Sequence, residues 1–581
     1  MTPRRRISPI LIALVAFFSL FAIIRFIPAS HAQGQVQVTA STPASAEQGT
    51  VNLNVKVNGK GFKNGANAKW FVTGTTDTGG VTVNSTTFVS STEVTANITV
   101  ADTAVIANFD IQVTNSDGRG GKGTELFKVV AKGGGNASCP PIQPAPTTDT
   151  RCYAALPGCL DSTFGAVGYV HNIVGSGATF GYARTVVIQA DNKIVVAAKA
   201  FFPATTADFA LIRYNLDGSL DTSFGDVNLS NPSLRLGYTI TSFTTGNDDP
   251  WAGLLLQSDG KIVVTGARGD RHLVAVRYSP DGVLDATFGN GGIADLGDSG
   301  TRSVAALQAD GKILVVDGPN SVVRVTRLNI NGSFDATFGS GGRITFNASG
   351  SKRGLTVGWA VATQRVPATT GEERIVVAGY SGDGGNGGSL WTVMRFRSNG
   401  ATDTNFSTNG VVTTTFSGLG DRALGVKIDS SNRIVTAGLI SLNGPCGTYV
   451  ADYAVVRYTQ DGQIDGSFGG GKQIIDVYGG RDDNTSLALQ VDGKVLIYGS
   501  AASSDDSENQ IALVRLNTDG SRDASFGLQG NGVVTLDGYG SGTHAYANLA
   551  VSPVDGKIVV AGATNLATPS PFSIFVARYL P

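Results

Sequence analysis

A block of the form aLQxDGKIvvaG, then a variable stretch, then faLvRYnxDGxLDxxFG, recurs seven times between Leu160 and the C-terminus. Such self-similarity restricts the region to an array of small repeated units. The aspartate of the closing LDxxFG falls at Asp161, Asp221, Asp285, Asp335, Asp403, Asp465 and Asp523, a period of about sixty residues. A basic residue opens one apolar strand at Lys193, Lys261, Lys312, Arg374, Arg433, Lys494 and Lys557. A second apolar strand ends on Arg213, Arg277, Arg327, Arg395, Arg457, Arg515 and Arg578. Asp-Gly pairs separate these strands and suit reverse turns, because glycine accepts positive φ and aspartate bonds its own backbone.

The order of the pieces at the two ends matters most. The region opens with an orphan LDxxFG at Leu160 to Gly165 and stops at Arg578-Tyr579-Leu580-Pro581, with no LDxxFG after it. An N-terminal segment that completes the last unit removes both exposed sheet edges at once, whereas an open solenoid needs polar capping repeats. The expected fold is therefore all-β: a seven-bladed β-propeller closed by its N-terminal segment, preceded by a small β-sandwich. The 77 glycines among 581 residues fit many short strands and tight turns, and no long apolar stretch at helical spacing occurs outside the N-terminus.

That N-terminus carries Arg4 to Arg6, a charge-free apolar run from Ile7 to Ile24 and the small-x-small site Ser30-His31-Ala32. It reads as a secretory signal peptide over residues 1–32, although the apolar run is also near the minimum for an uncleaved anchor. Removing it takes four arginines and no acids, which leaves 40 basic against 45 acidic residues. A nucleic-acid partner, which calls for a basic excess, is not expected. Beyond the signal no membrane span is expected, and the protein is expected to be a monomer secreted or held at the cell surface.

Residues 33–131 hold no copy of the repeat and read as short alternating strands, among them Val51 to Val57, Lys69 to Val72, Glu93 to Val100 and Asp110 to Thr114. Residues 132–159 form a linker with Gly133 to Gly135, five prolines and three of the four cysteines. In an exported chain Cys139, Cys152, Cys159 and Cys446 suit two disulfides, with three pairings open. A Cys139–Cys152 bridge would close a short loop, and Cys446 could instead clamp the linker to the ring. Residues 160–581 form the propeller.

Two resemblances follow from these motifs. The stretches Gly59-Lys60-Gly61-Phe62, Phe88 to Thr92 and Ile111 to Gly118 resemble the IPT/TIG type of immunoglobulin-like domain, which implies a spacer or adhesion module. Residues 160–581, with stretches such as Leu256 to Val264 and Arg277 to Gly289, resemble the bacterial delta-60 repeat family of β-propeller-like exported proteins. That resemblance implies a fold and a compartment but no reaction. Blade four departs most, with Glu373-Arg374 and Asn405-Phe406-Ser407 in place of the usual residues.

In a four-stranded antiparallel blade the uniform Asp-Gly turns fall on one face, and the divergent loops and inter-blade connections fall on the other. Tyr380 to Leu390, Ser441 to Asp452 and Ala501 to Gln510 are long, and Asp317 to Ser321 is short. Loops that vary on a fixed scaffold are where binding is usually built. The connections carry Asp248, Asp249, Asp298, Arg302, Lys352, Arg353, Asp421, Arg422, Arg481, Asp482 and Asp483. These could form a mixed polar ring at the channel mouth, fit for a glycan or a cation, or else salt bridges and turn caps between blades. The seven repeated arginines are expected to pair with the seven LDxxFG aspartates rather than to bind an anion.

Catalytic signals are few. His171, His272 and His544 come from different blades with no metal-ligand spacing. Gly297-Asp298-Ser299-Gly300 looks like a serine-protease nucleophile motif but sits at a blade junction in the wrong context. Asp505, Asp506 and Glu508 make an acidic loop without the D-x-D-x-D-G pattern. No catalytic, cofactor-binding or metal residue is assigned, and no cofactor is expected. The function expected is a non-enzymatic exported interaction protein whose variable-loop face takes a protein or glycan partner; the alternative is an extracellular polysaccharide hydrolase or lyase at the channel mouth.

Overall fold

The computed structural model describes residues 36–130, 156–165, 167–203, 207–243, 246–298, 303–318, 322–347, 356–367, 371–384, 388–416, 419–443, 449–503, 509–539, 548–564 and 572–581. The expected signal peptide, and Cys139, Cys152, Cys446, Arg302 and Arg353, lie outside them. The chain divides into two compact units, Met1–Pro140 and Pro141–Pro581. No helix among the described residues is long and apolar enough to cross a membrane.

In the first unit, β1 (Gln37–Thr42), β2 (Ser45–Glu47), β3 (Leu53–Lys60), β4 (Asn67–Val72), β5 (Val81–Ser90), β6 (Glu93–Val100), β7 (Asn108–Thr114) and β8 (Gly120–Val130) form two four-stranded sheets. Their orders are β1-β3-β6-β5 and β2-β8-β7-β4. Alternation in Glu93–Val100 turns Val94, Ala96, Ile98 and Val100 inward, as a period of two requires. They share one core with Trp70, Phe109, Ile111 and Phe127 from the other sheet. Strands β5 and β8 escape sequence reading because one is rich in Thr and Ser and the other opens on glycines.

The second unit begins with β9 (Tyr169–Asn172). A first repeat sheet follows: β10 (Phe180–Ile188), β11 (Ile194–Phe201), β12 (Ala207–Tyr214) and β13 (Tyr238–Thr241). The second comprises β14 (Asp249–Leu256), β15 (Ile262–Ala267), β16 (His272–Tyr278) and β17 (Ile293–Asp298). The third comprises β18 (Ser303–Leu307), β19 (Ile313–Asp317), β20 (Val323–Leu328) and β21 (Arg343–Phe346). The fourth is β22 (Thr356–Val366), β23 (Glu372–Gly384), β24 (Gly388–Phe396) and β25 (Val411–Thr414). The fifth is β26 (Arg422–Ile428), β27 (Ile434–Asn443), β28 (Tyr449–Tyr458) and β29 (Lys472–Ile475). The sixth is β30 (Gly479–Leu489), β31 (Val495–Ser503), β32 (Asn509–Leu516) and β33 (Val533–Tyr539). The last sheet takes β34 (Asn548–Val551), β35 (Ile558–Thr564) and β36 (Ser573–Tyr579), and its fourth strand is β9.

Middle strands such as β12 are buried at every residue, which explains why the sequence shows continuous apolar runs rather than alternation: each sheet is covered on both faces by its neighbours. First strands pack against first strands in sequence order, and β34 also meets β10. One core joins Val559, Ala561, Ile574 and Val576 of the last sheet to Ile194, Val196, Ala198 and Ile212 of the first. Phe575 pairs with His171, and Leu160 bridges Tyr579.

Each repeat is held by one polar unit. Arg277 Nε donates to Asp285 at 2.8 Å, its Nη1 to the Ile330 carbonyl of the next sheet at 2.5 Å, and its Nη2 to Thr287 at 3.0 Å. Its guanidinium lies 4.7 Å from the Phe288 ring. Lys261 adds a second cation to Asp285 at 3.2 Å. Arginine and aspartate pair in this way at all seven positions, and Arg578 reaches across to Asp161 and to the Leu216 carbonyl. Phe288 is wholly buried beneath Gly332 of the next sheet, whose φ of +85° and lack of a side chain leave room for the ring. The repeated phenylalanine is thus a wedge between sheets.

Burial opposes charge on these aspartates, yet hydrogen bonds from Thr163 and Lys557 and the charge of Arg578 hold Asp161 down at about 2. Asp221, Asp285, Asp335, Asp465 and Asp523 move the same way for the same causes. A carboxylate depressed in the folded state stabilises above its unfolded pKa, near 4, and that contribution disappears as pH falls through the folded value. The thermal midpoint of the protein, followed by circular dichroism, is therefore expected to drop steeply between about pH 4 and pH 2. A midpoint that holds level across that interval would contradict this coupling.

Candidate functional site

Strand pairing sets the two faces of the repeat unit. The connections β10–β11, β14–β15 and β18–β19 are the tight turns at Asp191, Asp259 and Asp310, each capped by its aspartate accepting the N–H of the following lysine. The fourth sheet differs, since β22 and β23 continue to Val366 and from Glu372 around a longer turn. Arg374 nevertheless meets Asp403 as the lysines do elsewhere. A cavity of about 510 Å³ opens on this face, lined by Gln308, Lys312, Arg327, Arg365, Glu373 and Asn399 among others. Much of its charge is spoken for: Lys312 binds Asp310 and Asp335, Arg327 binds Asp335, and Glu373 accepts from Gln308 and the Ala309 N–H.

On the opposite face the described residues of the segments expected to be long loops are strand. The ladder of β23 and β24 runs out to Gly384 and Gly388, that of β27 and β28 to Asn443 and Tyr449, and that of β31 and β32 to Ala502 and Asn509. Glycine and serine made them read as loops, but their backbones keep pairing beyond the sheet core. Hairpins of the fourth, fifth and sixth sheets therefore extend further than the short connections Ala267 to His272 and Asp317 to Val323.

The charged connections take three different roles. Asp248, Asp421 and Asp482 are wholly buried, and each accepts the backbone N–H five residues earlier, from Phe243, Phe416 and Val477. Asp249 is buried in an ion-pair group, with Arg184 binding it at 2.9 and 2.7 Å and Lys199 at 3.1 Å. Arg481 pairs with Asp483 at 2.8 Å, Arg422 lies 5.3 Å from the Tyr380 ring, and Asp298 is 97 % exposed at the end of β17. Asp248, Asp249 and Asp421 therefore cap and join the sheets rather than line an open ring.

Two groupings were invisible in the sequence. At the start of β10 and the end of β11, Phe180 stacks on Phe201 at 4.1 Å, Tyr182 meets Phe201 edge-on at 5.4 Å, and Phe572 of the last sheet lies 5.4 Å from Tyr182. All four rings are half-buried. Lys199 lies 5.0 Å from Phe201, and Arg184 covers Trp251 at 4.6 Å. Both cations are buried and bound to Asp249, so the part of this surface that is open to a ligand is the half-exposed aromatic cluster. Alternation of Phe180 and Tyr182 on one strand was the only local signal.

The second grouping is acidic. Asp452 of β28, Asp476 just after β29 and Asp482 of β30 each bring a carboxylate oxygen within 4.8 Å of the other two. Burial and the charge of Asp476 raise Asp452 to about 6, and burial pushes Asp482 up well above the carboxylate range. A polar pair, His272 Nδ1 with Asp295 at 3.0 Å, joins β16 to β17. Arg268 also binds that carboxylate at 3.3 Å, so it is part of an ion-pair cluster at the sheet's outer strands. Cys159 is buried and disulfide-bonded, beside the Leu160 bridge.

Comparison with known proteins adds a fold. Residues 189–224, 257–288, 308–338, 374–406 and 490–526 match the family described as domain of unknown function (DUF5122) beta-propeller. No curated protein is significantly similar. Among solved structures, a PL25 ulvan lyase bound to -[GlcA(1-4)Rha3S]- aligns with 13 % identity and a TM-score of 0.40 over 71 % of this chain and 96 % of its own. The α-L-arabinofuranosidase Arb93A of Fusarium graminearum aligns with 9 % identity and a TM-score of 0.32 over 70 % and 94 %. Neither likeness assigns an activity. The repeat region is an all-β array of the β-propeller kind.

Proposed function

We propose that the seven sheets are the blades of a closed propeller in an exported interaction protein, and that the face bearing the long hairpins binds a surface glycan. The observation that carries this reading is the half-buried cluster of Phe180, Tyr182, Phe201 and Phe572 on that face. Sugar rings present apolar C–H faces that stack on such aromatics, while Lys199 and Arg184 beside them are buried and held by Asp249 and so brace the rings rather than bind the ligand. The N-terminal sandwich, which resembles an IPT/TIG-like module, serves as a spacer.

A polysaccharide hydrolase or lyase is the second reading, favoured by the convergence of Asp452, Asp476 and Asp482. Glycosidase chemistry needs two carboxyl groups that both reach the sugar, whereas here Asp482 is 0 % and Asp452 7 % exposed. The binding reading fits that burial better.

Screening the secreted protein on a glycan array, beside a panel of polysaccharide substrates, is expected to return glycan ligands without turnover. Tyr182→Ala and Phe201→Ala should each weaken the best ligand about tenfold, or about 1.4 kcal/mol. Binding that ignores both substitutions but disappears when the Asp-Gly turns or the sandwich are altered would place recognition elsewhere.

A further inference from the structure

At the junction of the fifth and sixth sheets, Asp482 lacks a hydrogen bond that its counterpart receives at the first junction. Asp248, the counterpart of Asp482 at the first junction, receives two backbone N–H groups, from Phe243 on one oxygen and from Gly269 at 2.7 Å on the other. In Asp482 only Oδ2 is served, by Val477, while Oδ1 is fully buried with no hydrogen-bond partner. That free oxygen belongs to the carboxylate that Asp452 and Asp476 approach within 4.8 Å. Where Asp476 stands here, the first junction has Ser242 beside Asp208, a hydroxyl in place of a charge. Where Asp452 stands, the junction of sheets four and five has Leu390. A third carboxylate thus replaces a neutral group beside an already unsatisfied one, which is unfavourable for the bare protein. Arg522, which donates to the Asp476 carbonyl at 2.8 Å, is the cation facing the group.

A donor set made only of carboxylate oxygens selects a hard cation. Carboxylates carried on three separate segments, two of them already bonded to backbone N–H groups, suit the flexible coordination of calcium, with bonds of about 2.3–2.6 Å, better than the near-ideal octahedron that magnesium demands at about 2.0–2.1 Å. Asp482 is fixed by its bond to the turn, Asp452 sits on the extended hairpin of the fifth sheet, and exposed Asp476 provides the entrance. We propose that Asp452, Asp476 and Asp482 hold one calcium ion that ties the long hairpin of the fifth sheet to the first strand of the sixth. Water completes the coordination, because Asp476 Oδ1 already accepts the Gly479 N–H and Asp482 Oδ2 that of Val477.

The test is calorimetric titration of the full secreted chain with calcium chloride and, separately, magnesium chloride, together with thermal melts. The expected result is one calcium per chain with a Kd of about 10⁻⁴–10⁻³ M, as in extracellular modules, a raised melting midpoint and weaker magnesium binding. Asp476→Ser, which installs the residue of the first junction at an exposed position, should lower calcium affinity at least tenfold while the metal-free melt stays sharp. Asp452→Asn should do the same. The triple variant Asp505→Asn, Asp506→Asn, Glu508→Gln should bind calcium normally. Failure to bind calcium at millimolar concentration, tighter binding of magnesium, or loss of calcium in the triple variant but not in Asp476→Ser would each overturn the assignment. None of these outcomes depends on glycan binding.

Discussion

A chain lacking residues 33–175 is expected to fail to fold, while one lacking only 33–131 stays soluble with the cooperative melt of the intact repeat region. The larger deletion removes β9, which pairs with β36, and the Leu160 bridge to Tyr579. It also removes Asp161, which leaves Arg578 and Lys557 without their shared carboxylate. Stranding a buried ion costs about 3–5 kcal/mol, and losing the buried Phe164 wedge costs about 3–5 kcal/mol more. Together these rival the whole stability of a typical protein, about 5–15 kcal/mol. In addition β36, buried throughout, would become an apolar edge open to other chains. Size-exclusion chromatography and circular dichroism of both truncations give the answer. Equal solubility and melting of the two would refute the proposed closure.

Asp403→Ala is expected to be the most damaging single substitution in the repeat, at about 5 kcal/mol. Asp403 Oδ2 takes Arg395 Nε at 2.8 Å and Arg374 Nε at 3.1 Å, and the Arg395 side chain is only 1 % exposed. Its remaining contacts, Gln364 Oε1 and the Gln460 carbonyl, satisfy hydrogen bonds but do not neutralise charge. Replacing both partners, in Asp403→Leu with Arg395→Met, should recover much of the loss, because the large penalty belongs to the orphaned charge rather than to the pair. A double-mutant cycle by urea denaturation measures this coupling. Additive single effects would show that the pair contributes nothing of its own.

The repeated polar unit was legible because its members lie close in sequence. Arginine and aspartate of one repeat are eight residues apart across a tight turn, as in Arg213 and Asp221, so register alone makes them neighbours. The placement of Leu160 beside Tyr579 was legible for another reason, since the orphan motif at the front supplies what the last copy lacks. Strands β5 and β8 were not, because Thr-, Ser- and Gly-rich stretches give no alternation to read. The strand character of the hairpin flanks was hidden for the same reason, and the sequence left Asp249 between a channel-mouth ring and an inter-blade salt bridge because it does not show Arg184 and Lys199 closing over it.

By itself, then, the sequence determined the all-β repeat, the position of its turns and the pairing of charges inside each unit, all of which depend on separations of a few residues. Only the tertiary structure decided which residues from different sheets share a surface. Phe572 reaches Tyr182, and Asp482 reaches Asp452 and Asp476, because neighbouring sheets bring their connections together on one face. A strand's pleat tells which way its own side chains point. It carries no information about what the next sheet will set opposite them, and both candidate sites are made of that juxtaposition.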